Sequence, residues 1–118
     1  MAQRQRGSRL AAPVNRVYVR RIDFERIAGS ARPHLPELVK RWIPNGRRRG
    51  DEYVARNPLR DDKRPGSFSV NVRTGQWADF ASGQTGGDAI SLAAYLFALK
   101  QSEAARRIAD MLGIEVFQ

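Results

Sequence analysis

This chain of 118 residues contains no cysteine. That absence excludes disulfide bonds, thiolate nucleophiles and thiolate metal sites at once. The length supports one small domain with an attached tail. A small domain without covalent or metal cross-links depends on helix packing and a hydrophobic core for its stability. Because free thiols and disulfides are both missing, we also expect a reducing compartment, the cytoplasm.

The positive charge is concentrated in the first half of the chain. Residues 1–65 contain 17 basic and 7 acidic residues, a net charge of +10, whereas residues 66–118 contain 4 and 5, a net charge of −1. Arginine, which can hold two phosphate oxygens and stack on bases, accounts for 18 of the 21 basic residues. A genome rich in G and C would also raise the arginine content, but it would not explain the asymmetry. The asymmetry indicates a binding face for a polyanion.

The hydrophobic pattern predicts four helices. Asp23 is suited to cap a short helix that Gly29 ends. Apolar residues at i, i+3, i+4, i+7 and i+8 predict a helix over 35–43, with Trp42 on its buried stripe and Pro44 after it. Two further helices follow, one from Asp88 to Lys100 and one capped by Ser102 and ended by Gly113.

Between these helices the pattern predicts β-strands at Tyr53–Arg56, Ser67–Val72 and Gln76–Phe80, with a hairpin turn at 73–75. Alternation places Phe68, Val70 and Val72 on one face. If Phe80 belongs to the core, Trp77 lies on the opposite and more exposed face. We therefore expect an α+β fold, a small antiparallel sheet flanked by helices. We expect this domain over residues 17–118, preceded by a disordered basic arm at 1–16.

The segment 57–90 reads NPLRDDKRPGSFSVNVRTGQWADFASGQTGGDAI. It resembles the zinc-binding domain, a zinc ribbon, of bacterial DnaG-type primases. That family has roughly the form Cys-Pro-Phe-His, Pro-Ser-Phe-Ser-Val, Tyr/Trp-x-Cys-Phe-x-Cys-Gly and Gly-Asp-x-Ile. The framework is retained here, from Pro58 through the PGSFSV run to Ile90.

The four positions at which the family carries zinc ligands hold other residues. They are Asn57, Arg60, Asp79 and Ser82. An arginine cannot ligate zinc, because it stays protonated and offers no lone pair. The resemblance therefore implies a zinc-ribbon-like domain without zinc and without any cofactor, in which Arg60 and Asp79 form an ion pair supported by Asn57 and Ser82. The alternative is that these four residues have drifted and face solvent.

A second set of residues is suited to nucleic acid. Single-stranded nucleic acid binders combine a basic groove with aromatic platforms, and the resemblance implies contact with a template. We predict Trp77 as the stacking platform and Tyr53 as a weaker one. The alternatives are that Trp77 covers a hydrophobic edge and that the arginines form a solvated run of charge. The predicted basic residues are Arg47, Arg48, Arg49, Arg56, Lys63 and Arg64.

Other chemistry finds little support in the sequence. The Gly83–Asp88 run lacks the Lys-Ser/Thr of a Walker loop, so we interpret it as a helix cap. His34 is the only histidine and no acidic cluster accompanies it, which argues against an enzyme. The longest unbroken apolar run, at 92–99, is far shorter than the roughly 20 residues of a membrane span.

These observations predict a protein that binds single-stranded DNA, or recognises a template, as an accessory to a separate primase, polymerase or helicase in DNA replication. Two alternatives remain open. The chain could be a protein-docking module for a replication protein, or the detached N-terminal module of a larger primase–helicase. Small stand-alone pieces of this kind suit phages and mobile elements.

Overall fold

The computed structural model describes residues 20–60 and 66–118, which form four α-helices and one five-stranded sheet. The predicted arm at 1–16 and the predicted contacts Lys63 and Arg64 lie outside the described residues. The helices are α1 (Phe24–Ala31), α2 (Leu35–Trp42), α3 (Ala89–Phe97) and α4 (Gln101–Leu112), with a 3-10 turn at Arg32–His34. The strands are β1 (Arg47–Arg49), β2 (Glu52–Ala55), β3 (Phe68–Asn71), β4 (Trp77–Asp79) and β5 (Gln84–Gly86). The predicted α+β fold is confirmed.

Some predicted helix boundaries are wrong. The helix predicted to run to Lys100 ends at Phe97, where Ala98 adopts a left-handed C-cap. Asp23 does cap α1, since its carboxylate accepts a hydrogen bond from the Arg26 amide at 3.1 Å, but the helix continues past Gly29 to Ala31. Ala31 is fully buried, so tertiary packing outweighs the weak helix propensity of glycine there. Helix α4 begins one residue before Ser102, because the Glu103 carboxylate accepts the Lys100 amide at 3.0 Å.

The sheet is an antiparallel meander in the order β1-β2-β3-β4-β5. The turn at 73–75 joins β3 to β4 as predicted, with the Gly75 amide donating to the Asn71 carbonyl at 2.8 Å. Gly75 has a φ of 89°, a conformation that favours glycine. Strands β1 and β5 were not predicted, because neither alternates apolar with polar residues.

One face of the sheet forms the hydrophobic core with the helices. Val70 pairs with Tyr53 and with Trp77, so these three side chains point to the same side. Helix α3 packs on them, and its Tyr95 ring stacks on Trp77 with centroids 4.8 Å apart. The Trp77 indole also donates to the Ser91 hydroxyl at 2.9 Å. Among the described residues no helix is long and apolar enough to cross a membrane.

The opposite side of the sheet, called the outer face below, is defined by the row Val54, Ser69, Ala78 and Thr85, which pair across β2–β5. Arg47 pairs with Val54 and therefore points to this face as well. The Glu52 carboxylate joins the strands here, accepting from the Ser69 hydroxyl at 2.6 Å and from the Asn71 amide at 2.9 Å. The outer face is thus polar at its centre.

Candidate nucleic-acid interface and the former zinc position

The four residues at the zinc-ligand positions meet in one cluster, called the clasp below. Both terminal nitrogens of Arg60 bind the Asp79 carboxylate, and the Nη2–Oδ1 distance is 2.8 Å. Asp79 is fully buried, whereas the Arg60 side chain is 32 % exposed. The Ser82 hydroxyl donates to the same carboxylate. The predicted ion pair is confirmed as a bidentate contact, and the drifted, solvent-facing alternative is wrong.

Asn57 fixes the other side of the clasp. It is fully buried, its side-chain amide donates to the Tyr95 hydroxyl at 2.8 Å, and its Oδ1 accepts the Leu59 amide at 2.7 Å. The backbone amide of Arg60 donates to the Asn57 carbonyl at 3.2 Å, and that of Gly83 donates to the Asp79 carbonyl at 2.8 Å. Asn57 and Arg60 therefore lie on one tight turn, and Asp79 and Ser82 lie on another.

The clasp holds the Asp79 carboxylate in its charged form. Hydrogen bonds from Arg60 lower the pKa of Asp79 most, burial opposes them, and hydrogen bonds from Ser82 and Asn57 lower it further. The result is a pKa well below the usual range of an aspartate. Asp79 thus stays ionised and paired throughout the neutral range.

These residues do not fit a zinc ion. The lone pairs of the Asp79 carboxylate are directed to a guanidinium fork, and a protonated arginine excludes a cation from the same space. No thiolate exists in the chain. Within 20–60 and 66–118, no group of three or more histidine, cysteine, aspartate or glutamate side chains is placed to hold a metal. The clasp occupies the metal position with an ion pair.

The three predicted arginines of β1 are all exposed, but they do not form one patch. Arg47 and Arg49 point to the outer face and line a cleft of about 360 Å³ together with Val54 and Gly66. Arg48 points the other way, into a second cleft that it shares with Arg32, and donates to the Gly50 carbonyl at 2.8 Å. The predicted basic edge is therefore divided between two faces of one strand. Arg56, directly after β2, is exposed.

The two predicted stacking platforms are wrong. Trp77 is 5 % exposed and Tyr53 is 6 % exposed, and both belong to the core. The Trp77 ring stacks against Tyr95 and Phe68. The Tyr53 hydroxyl donates to the Ile43 carbonyl and accepts the Gly46 amide. Neither ring has a free face for a base.

Phe80 is an exposed aromatic residue, so the condition under which the strand pattern placed Trp77 outward, a core position for Phe80, is not met. Phe80 is 67 % exposed and lies beside Ala78 at the end of β4, where both line a shallow depression on the outer face. Its backbone is fixed, since its amide donates to the Ser67 carbonyl at 2.8 Å. The alternation of β4 contained the signal: if Asp79 must face inward to meet Arg60, Trp77 faces inward and Phe80 outward.

The Gly83–Asp88 run is a strand and a helix cap. Gln84–Gly86 forms β5, and the Asp88 carboxylate accepts the Ser91 amide at 2.9 Å at the start of α3. A Cβ at Gly86 would overlap the Trp77 ring, so glycine is required there for packing. The interpretation of this run as a cap is confirmed for Asp88, whereas the strand at Gln84–Gly86 was not predicted.

Comparison with known proteins agrees with this geometry. The family model described as the CHC2 zinc finger, the zinc ribbon of DnaG, matches residues 30–118. No curated protein matches the chain. The matched region spans α2, the whole sheet, the clasp and helices α3 and α4. The chain therefore belongs to the DnaG-type zinc-ribbon family and contains a primase-related domain.

Proposed function

We propose that this protein binds single-stranded DNA and serves as a template-recognition accessory to a separate primase, polymerase or helicase. One observation carries the proposal. The outer face combines two exposed arginines at one edge, Arg47 and Arg49, with an exposed aromatic ring, Phe80, at the end of β4. Membership of a primase-related family supports the same assignment.

Each part of the outer face suits a different part of a DNA strand. The guanidinium groups of Arg47 and Arg49 would bind phosphate oxygens, and the Phe80 ring would stack on a base, which every nucleobase permits. Strands β2 and β3 lie between these subsites, so the two subsites are separated by about 14 Å across the sheet, and Phe80 is also displaced along the strand direction from the row of Arg47. They would therefore contact different nucleotides of one extended strand.

The polar centre of the face lies between the two subsites. Glu52 would repel a phosphate there, but its carboxylate is already held by Ser69 and Asn71. Carboxylate and amide side chains accept and donate hydrogen bonds to base edges. In a single strand the Watson–Crick edges of the bases are also free to form such bonds, whereas in a duplex they are paired. The face therefore favours single-stranded DNA. In this proposal the protein acts in the cytoplasm, by binding and not as a catalyst.

A titration with fluorescently labelled oligonucleotides tests the proposal. Single strands and duplexes of equal length are compared by anisotropy at two salt concentrations. We expect tighter binding of the single strand, with an affinity that falls as salt rises, because phosphate contacts release counterions. Absence of binding at low salt, or a preference for the duplex, would contradict the proposal.

A protein-docking role is the second candidate, favoured by an apolar groove on the helical side of the domain that is lined by Trp42, Phe97 and Met111 among others. The two roles are distinguishable, since DNA binding depends on the outer face and protein docking on a different surface.

A further inference from the structure

A groove lies between the end of α2 and helices α3 and α4, called the helical groove below. It has a volume of about 340 Å³. Its apolar lining comes from Trp42, Phe97 and Leu99 on one side and from Ile108 and Met111 of α4 on the other. The volume is in the range of sites that accept a ligand or a few side chains of a partner.

The groove exposes large apolar side chains that nothing else in the described domain covers. Phe97 is 49 % exposed and Met111 is 43 % exposed. Trp42, predicted to be core, is only partly buried, and its ring meets the edge of Phe97 with centroids 5.8 Å apart. Contiguous exposed apolar side chains of this kind mark interaction surfaces.

The rim of the groove is basic. Arg107 lines it, Arg41 directly precedes the lining residue Trp42, and Lys100 directly follows the lining residue Leu99. All three are exposed, and none forms an ion pair with another described residue. No acidic residue lines the groove. Beside the lining residues in the chain, two exposed acidic residues, Glu103 and Asp110, are outnumbered by the basic residues Arg41, Lys100 and Arg106, and Arg107 adds to the excess. Charge complementarity therefore selects an acidic partner.

The charge also argues against a second copy of this chain as the occupant. Each copy has a formal net charge of +9, so two copies would repel one another. Within the described residues, the lining of the groove shares no residue with the depression on the outer face. Both surfaces can therefore be occupied at the same time.

We propose that the helical groove docks an acidic amphipathic helix of another protein. Apolar side chains of that helix at i, i+3 or i+4, and i+7 would enter between Trp42, Phe97 and Met111. Its acidic side chains would face Arg41, Lys100 and Arg107. This inference does not depend on the proposed DNA binding, and it assigns the partner by its chemistry.

Peptide display tests the proposal. A library of random peptides of about 16 residues, roughly four helical turns, is selected on the wild-type protein. We expect enriched peptides that share apolar residues at helical spacing and an excess of aspartate and glutamate. Synthetic copies should bind the wild type and lose about tenfold or more in affinity for a Phe97→Ala, Met111→Ala variant, because both anchors are truncated.

The matched control is Phe24→Ala, which removes a ring that is 42 % exposed on α1, outside the groove. It should bind the peptides as the wild type does, and circular dichroism should show both variants folded. Peptides that are basic, or that bind the groove variant unchanged, would overturn the proposal. A wild-type dimer in sedimentation that is absent in the groove variant would also overturn it, because the groove would then serve self-association. Loss of single-stranded DNA binding in the groove variant would overturn it too, because the groove would then bind DNA.

Discussion

Phe80 and Trp77 are three positions apart in one strand segment and have opposite environments. The Phe80 ring is two-thirds exposed on the outer face, whereas the Trp77 ring is stacked inside the core. The side chain with the larger stacking surface is thus unavailable to a ligand. Base stacking at the proposed interface depends on the phenylalanine.

We expect Phe80→Ala to weaken binding of single-stranded DNA by about 1–3 kcal/mol with little change in the salt dependence, because stacking releases few counterions. Anisotropy titrations at several salt concentrations measure both quantities. Phe24→Ala is the control for loss of an exposed ring and should bind normally. An unchanged affinity for Phe80→Ala would remove the stacking subsite from the interface.

The clasp makes a second prediction at this scale. Arg60→Ala should lower the free energy of unfolding by about 2–3 kcal/mol, because it leaves the buried Asp79 carboxylate without its main partner. The double variant with Asp79→Ala should cost less than the sum of the single variants. Denaturant unfolding of all four proteins measures the coupling. Additive effects would show that the contact contributes nothing to stability.

The same pair predicts a dependence on pH. The pKa of Asp79 is lowered in the folded state, so its stabilising contribution is complete above the unfolded value near 4 and is lost as the pH falls below that. We expect the wild type to lose more stability than Asp79→Asn between about pH 5 and pH 2. Parallel acid titrations of the two proteins test this. Equal losses would mean that other carboxylates determine the acid transition.

Strand β1 shows how one element can divide a charge cluster. Successive side chains of a strand point to opposite faces, so three consecutive arginines supply two to the outer face and one to the other side. The sequence shows the cluster but does not show the strand, because RRR has no apolar alternation. The pairing of β1 with β2, which the sequence does not show, determines which arginines reach the outer face.

This division is testable. Arg47→Ala with Arg49→Ala should flatten the slope of log affinity against log salt by about 1.4 for a single strand, since each phosphate contact contributes roughly 0.7. Arg48→Ala is the matched control and should leave the slope nearly unchanged. Equal effects of the three substitutions would place the DNA elsewhere than on the outer face.

The end of α3 is strained. Ala98 has a φ of 55°, in the left-handed region, where glycine is favoured. Gly113 occupies the corresponding position after α4, with a φ of 70°. We expect Ala98→Gly to raise the free energy of unfolding by about 1 kcal/mol and Gly113→Ala to lower it by a similar amount. Thermal denaturation of both variants gives the signs, and a destabilised Ala98→Gly would contradict the cap assignment.

For the whole molecule, the sequence predicts the fold class, the central strands β2–β4 and the contact between Arg60 and Asp79. Local pattern was sufficient for the strands, because they alternate and their turns carry glycine, whereas the contact between Arg60 and Asp79 was predicted from the resemblance to the zinc-ribbon family. The prediction of burial fails for Trp77, Tyr53 and Phe80, since strand alternation defines two faces of the sheet but does not say which of them the helices cover. That choice depends on the packing of α3 through Ser91 and Tyr95.

The clasp also predicts how the whole molecule responds to metal. We expect purified protein to contain no stoichiometric zinc and a chelator to leave its melting temperature unchanged, because structural zinc would need ligands that Arg60 and its partners do not supply. Elemental analysis and thermal melts with and without chelator measure this. One zinc per chain would contradict the assignment of the clasp.

The absence of thiols changes what an oxidant can do to this domain. A thiolate zinc site is disrupted when its cysteines are converted to sulfenic acid or disulfide, whereas a guanidinium–carboxylate pair is inert to peroxide. The oxidisable sulfur atoms of the chain are those of its two methionines. One of them, Met111, lies exposed in the helical groove, where a sulfoxide would make the apolar lining polar. Oxidative stress would therefore leave the clasp intact and act on the surface that we assign to a partner protein.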